Sequence, residues 1–124
     1  MSKRDAVLIV GGGALQVPLV REAQALGLLP LVTDRNPHAP AFKLSGVQPF
    51  VLDTYDVAGH EELTRDLLRI YAIRGVCTAG SDTAPTVAAA AAVAGTPAIP
   101  LQVAQSTHNK LYVRNYLGEN LDEY

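Results

Sequence analysis

With a single cysteine, Cys77, the chain cannot form an internal disulfide. Cys77 stands inside an apolar run and reads as a buried core thiol. Aromatic residues are scarce, at 6%, and ten Lys and Arg stand against twelve Asp and Glu, for a net charge of −2 with neither sign clustered. A chain without a basic stripe or an aromatic surface has no footprint for nucleic acid. No stretch approaches the ~20 consecutive apolar residues of a membrane span. Lys3 and Arg4 precede an apolar run, but Asp5 and three glycines interrupt it and the run is short, so a signal peptide is not expected here. Internal repeats and low-complexity segments are absent as well. The 124 residues amount to about one domain. These absences lead to the expectation of a cytoplasmic protein with neither nucleic acid nor membrane as partner.

What the chain does have is an apolar strand, Ala6 to Val10, that empties into Gly11, Gly12 and Gly13 and then at once into a helix. A second apolar strand, Leu29 to Thr33, ends on Asp34. This is the opening βαβ unit of a nucleotide- or phosphate-binding sheet, where backbone N–H groups at the turn and the helix N-terminus favour an anion. The dinucleotide fingerprint G-x-G-x-x-G finds its first two glycines in Gly11 and Gly13, but its third position falls on Gln16. A side chain there is tolerated only if the helix stands further from the strand than in dinucleotide-binding domains. Asp34 sits roughly where a ribose-binding acid would; the stronger reading is that it caps or braces its own proline-rich loop, Asp34 to Pro40.

The remaining elements follow from periodicity and punctuation. A helix is expected from Gln16 to Leu26, with Leu15, Leu19, Ala23 and Leu26 inward, Arg21, Glu22 and Gln24 outward, and Gly27 closing it. Ala41 to Leu44 suggests a short turn and Val47 to Leu52 a third strand. Asp56 caps a helix expected from Val57 to Tyr71, with Leu63, Leu67, Ile70 and Tyr71 as its stripe. A fourth strand spans Gly75 to Thr78, and Ala79 to Thr83 forms a second special turn. A helix over Ala84 to Ala94 ends at Gly95, and Thr96 to Pro100 gives an edge segment. A last helix is expected from His108 to Leu117, followed by an acidic tail, 118–124. Alternating strands and helices imply an α/β, Rossmann-like, three-layer domain with a parallel sheet of four or five strands ordered 3-2-1-4, the fifth beside the fourth. The crevice at the switch between strands 1 and 4 is the default ligand site. Asp82 reads there as a ligand contact or as a helix N-cap. His38, His60 and His108 have no metal-ligand spacing and read as surface or loop histidines.

Four features stand in order: the turn Gly11 to Gln16; Thr33-Asp34-Arg35-Asn36-Pro37; Ala79-Gly80-Ser81-Asp82 ahead of an alanine-rich helix; and Asn109-Lys110 leading to Arg114 and Leu117. Together they resemble the N-terminal, pre-ATP-grasp domain of ATP-grasp ligases, in the carbamoyl-phosphate-synthase-like and biotin-carboxylase-like branch. The resemblance runs over residues 5–117. It implies that Gly11, Gly12, Gly13, Ala14, Leu15, Ser81 and Asp82 face a small carboxylate-type substrate, and that Lys110 reaches the ATP phosphates. It implies no catalytic residue and no metal ligand within this chain, which would then be inactive alone. ATP and Mg²⁺ would serve the parent enzyme, with none held tightly by this domain. It further implies residues 1–117 as the domain, a truncation point at 118–124, a missing C-terminal ATP-grasp domain as partner, and a homodimer that covers apolar surface left bare. Two other readings stay open: an NAD(P)-binding domain of an oxidoreductase, and a non-catalytic module that binds a small ligand.

Overall fold

The computed structural model describes residues 3–79 and 82–101. Five parallel strands form one sheet in the order β3-β2-β1-β4-β5: β1 (Arg4–Val10), β2 (Leu29–Asp34), β3 (Gln48–Val51), β4 (Tyr71–Ala79) and β5 (Ala98–Leu101). Three helices connect them: α1 (Val17–Ala25), α2 (Val57–Leu67) and α3 (Ala84–Ala94). A 3₁₀ turn, Ala14–Gln16, precedes α1, and another, Pro40–Lys43, leads from β2 toward β3. This is the expected α/β architecture and strand order, with the fifth strand beside the fourth.

The continuous apolar run of β1 is buried on both faces, as a central parallel strand requires. Val7 and Ile9 pack with Leu19, Val20 and Ala23 of α1, while Leu8 and Val10 pack with Leu67 of α2 and with Val87 and Ala90 of α3. Helix α1 thus covers one face, and α2 and α3 the other. Each fully buried Val, Leu or Ile side chain contributes roughly 1.5–3 kcal/mol. Cys77 is buried in the α1-side core, and burial pushes its thiol up to about 12. No described helix is long and apolar enough to cross a membrane.

Local signals set most of the boundaries. Asp56 caps α2, its side chain accepting from the Gly59 N–H at 2.8 Å. Gly27, at φ +80°, ends α1 with the paired bonds Leu28 N–H to Ala23 O and Gly27 N–H to Gln24 O, the two bonds of a Schellman motif. Six expectations need correction. Helix α1 starts at Val17, one residue late, because Gln16 belongs to the 3₁₀ turn. Leu15 is 62% exposed and lies outside the core stripe. Glu22 is buried, at 1% exposure; roughly 100° per residue places it beside Leu19 and Leu26, on the flank of the stripe. Helix α2 stops at Leu67, since Arg69 and Ile70 close i→i−3 turns, and β4 begins at Tyr71 rather than Gly75. His60 is not a surface residue but fully buried. The last helix and the tail lie outside the described residues.

Strand β4 carries an irregularity. Ala6 pairs with Ile73 and Leu8 with Val76, so Arg74 and Gly75 together face Val7. Two residues against one is a β-bulge. It brings Ile73 and Val76 to the same face, where both join the core beneath α2 and α3.

Candidate functional site

The strand order reverses between β1 and β4, and a cleft of about 360 Å³ opens at their carboxyl ends. Its walls include Gly11, Gly13, Leu15, Gln16, Asp34, Thr54, Tyr55, Thr78, Asp82 and Thr83.

The glycine turn is held by its own backbone. Gly11, at φ +106°, donates to Thr33 O at 2.8 Å and so extends the β1–β2 ladder. Gly12 is buried beneath the turn; its N–H donates to Asp34 Oδ2 at 2.9 Å and its carbonyl accepts from Ala41 N–H at 2.8 Å. A Cβ on Gly12 would lie 3.2 Å from the Ala39 Cβ and 3.3 Å from Val32 Cγ1, whereas one on Gly13 would meet nothing within 4 Å. The N–H groups of Gly13, Ala14 and Leu15 take no partner among the described residues and remain free for a ligand. Asp34 uses both carboxylate oxygens: Oδ2 on Gly12 and Oδ1 on the Asn36 N–H at 2.8 Å. It therefore braces its own loop and the glycine turn at once.

Gln16 turns inward, 8% exposed. Its Oε1 accepts from the Ala79 N–H at 2.9 Å, and its Nε2 lies 3.2 Å from Thr78 Oγ1, which itself donates to Val10 O at 2.7 Å. A single side-chain amide thus ties the turn after β1 to the end of β4.

Behind Asp34, Thr33 is fixed by His60. A carbonyl can only accept, so His60 Nδ1, 2.9 Å from Asp56 O, carries the proton, and Nε2 accepts from the Thr33 hydroxyl at 2.8 Å. Burial lowers the pKa of His60, against the raising effects of its backbone bond to Asp56 and of the Asp56 and Asp53 charges. The ring is accordingly held neutral.

Of the residues expected to touch a ligand, Gly11, Gly13, Leu15 and Asp82 do line the cleft; Gly12 supports it from below, and Ala14 is exposed but lines no wall. Ser81 and Lys110 lie outside the described residues. The N-cap of α3 is Thr83, not Asp82. Thr54, Tyr55 and Thr78 were not foreseen. The only signal for Thr54 and Tyr55 was their place between β3 and the Asp56 cap, at the carboxyl edge of the sheet. Asp34 and Asp82 are the charged residues among the described lining, and no group of three His, Cys, Asp or Glu residues able to hold a metal occurs among the described residues.

No protein-family model matches the sequence, and no curated protein matches it either. Solved structures do. An N5-carboxyaminoimidazole ribonucleotide synthetase from Thermotoga maritima is similar at TM-score 0.59 and 16% identity, over 93% of this chain and 30% of that one. The Bordetella bronchiseptica enzyme WbmG, in complex with NAD, is similar at TM-score 0.54 and 19% identity, over 76% of this chain and 36% of that one. The chain therefore spans about a third of the length of each neighbour. At these identities the likeness establishes the parallel Rossmann-like sheet that the two enzymes share with this protein.

Proposed function

We propose that this chain is the substrate-side domain of an ATP-dependent ligase of the ATP-grasp type, acting through an acyl phosphate and inactive by itself. The observation that carries the reading is Gln16. Its amide spans from the glycine turn to Thr78 and Ala79, leaving a cleft whose 360 Å³ lies at the small end of ligand pockets. Such a cleft suits a small substrate, with the N–H groups of Gly13 and Leu15, two residues that line it, available to a carboxylate. Likeness to a synthetase over 93% of the chain supports it. The described lining carries two carboxylates, Asp34 and Asp82, and no cation to pair with phosphates. In this reading nucleotide and metal are held elsewhere, by Lys110 and by a further ATP-grasp domain, and self-association covers the surface that domain would occupy. The carbamoyl-phosphate-synthase-like branch is the proposed one.

The second reading, an NAD(P)-binding oxidoreductase domain, is favoured by Asp34 at the end of β2 and by the NAD-bound neighbour. Thermal melting separates the two. A ligand at about 100 times its dissociation constant adds ~2.7 kcal/mol. We expect a saturable shift with a small carboxylate from a mono- and dicarboxylate panel, none with NAD or NADP, and no magnesium-dependent ATP turnover by the chain alone. A saturable shift with either cofactor, lost in Asp34→Ala, overturns the ligase reading.

A further inference from the structure

We infer that Gln16 determines the ligand class of this cleft: its side-chain amide closes the path a dinucleotide takes across the switch point, and glycine at this one position opens it. The inference deepens the reading above and rests on it for the cleft being the ligand site.

The other parts of a dinucleotide site are already in place. An apolar strand leads through Gly11 and Gly13 into a helix, three successive turn N–H groups are free, and Asp34 ends the neighbouring strand. A dinucleotide laid on such a sheet crosses the crevice where the strand order reverses, close over the glycine turn. Here that crossing is filled. Gln16 Nε2 lies 3.1 Å from where a Cβ on Gly11 would be, and the amide continues to Thr78 Oγ1 and the Ala79 N–H. The side chain runs from β1 to β4 over the switch point, nine-tenths buried.

The backbone at Gln16 does not require this residue. Its φ of −85° and ψ of −18° are helical values that glycine and alanine also adopt. Removing the amide empties the crossing and frees the Ala79 N–H toward the cleft. Thr78 keeps its bond to Val10 O, so the end of β4 stays tied to β1. Gln16→Gly also supplies the third glycine of the fingerprint that Gly11 and Gly13 begin. What separates this turn from a dinucleotide site is then one side chain.

The test titrates NAD⁺ into the wild-type chain, Gln16→Gly and Gln16→Ala by calorimetry, after far-UV dichroism and melting have shown which variants fold. Gln16→Gly is expected to bind NAD⁺ at least about tenfold more tightly than wild type, with Gln16→Ala between them, and adding Asp34→Ala should remove the gain. A folded Gln16→Gly with wild-type affinity overturns the inference. If Gln16→Gly does not fold, Gln16→Ala decides on the same criterion. If neither folds even with millimolar NAD⁺ present, Gln16 is scaffold and the inference fails. NAD⁺ binding by the wild-type chain sinks the ligase reading itself, whereas variants that gain nothing beside a non-binding wild type sink only the role given to Gln16.

Discussion

Asp34 Oδ2 accepts the buried N–H of Gly12 at 2.9 Å across 22 residues of sequence. The acid that ends β2 therefore holds in place the turn that ends β1. Hydrogen bonds to charged groups contribute ~1.5–3 kcal/mol. Asp34→Ala should lower the unfolding free energy by about that amount in urea titrations and speed exchange of the Gly12 amide. Asp34→Asn, which keeps one acceptor oxygen, should lose less.

The three glycines should respond differently to alanine. Gly13 has φ −69° and open space around a would-be Cβ. Gly13→Ala should change stability by no more than ~0.5 kcal/mol, or raise it slightly by restricting the unfolded chain. Gly12→Ala crowds Ala39 and Val32 and should cost ~1–3 kcal/mol. Gly11→Ala is strained by φ +106° as well as by contact with Gln16. Melting temperatures of the three variants should rank Gly13→Ala well above the other two.

Stability should fall on mild acidification through His60. Its folded pKa is lowered below the ordinary 6.5, so the unfolded chain binds the proton more readily than the folded one. The contribution is present in full above pH ~6.5 and is lost as pH falls from there toward the folded value. Wild type should lose more stability between pH ~7 and ~5 than His60→Gln, measured by urea unfolding at each pH. Equal pH slopes would show that the carboxylates alone carry the effect.

Cys77 should be inert in the native state. A thiol that is buried and pushed up to about 12 offers almost no thiolate at neutral pH. Its modification by an aromatic disulfide reagent should proceed at the rate of global opening and accelerate with denaturant.

Much of the fold was legible because its signals are local. The apolar run of β1, the Asp56 cap and the terminating Gly27 and Gly95 each act within a few residues, and strand order followed from the alternation of elements. The failures share a cause. Leu67, Ile70 and Tyr71 satisfy helical spacing, yet Tyr71 is taken by pairing with Arg4 of β1, far away in sequence. His60 looked like a surface residue because its partner, Thr33, lies on another element. At the cleft, Gly11, Gly13, Leu15 and Asp82 were readable from the two turns. Thr78 and the inward role of Gln16 were not, because a departure from the fingerprint at position 16 says that something differs there and not which atoms the glutamine reaches.

The bulge opposite Val7 acts on β4 as a change of phase. Downstream of Arg74 and Gly75, odd-numbered residues Cys77 and Ala79 face α1, whereas upstream it is odd-numbered Ile73 that faces the opposite core. A strand has only two sides, and the extra residue sits where it costs the pairing nothing: Val76 remains opposite Leu8 and Cys77 opposite Ile9. Losing Arg74 or Gly75 would leave a regular strand in which one residue separates Ile73 from Val76, with Val76 still beneath α3, Cys77 still beneath α1 and the Ala79 N–H still toward Gln16. The same loss beyond Val76 would exchange the two faces for the rest of β4 and carry the Ala79 N–H away from Gln16. Chain length is thus lenient at the bulge and strict in the few residues between it and the cleft.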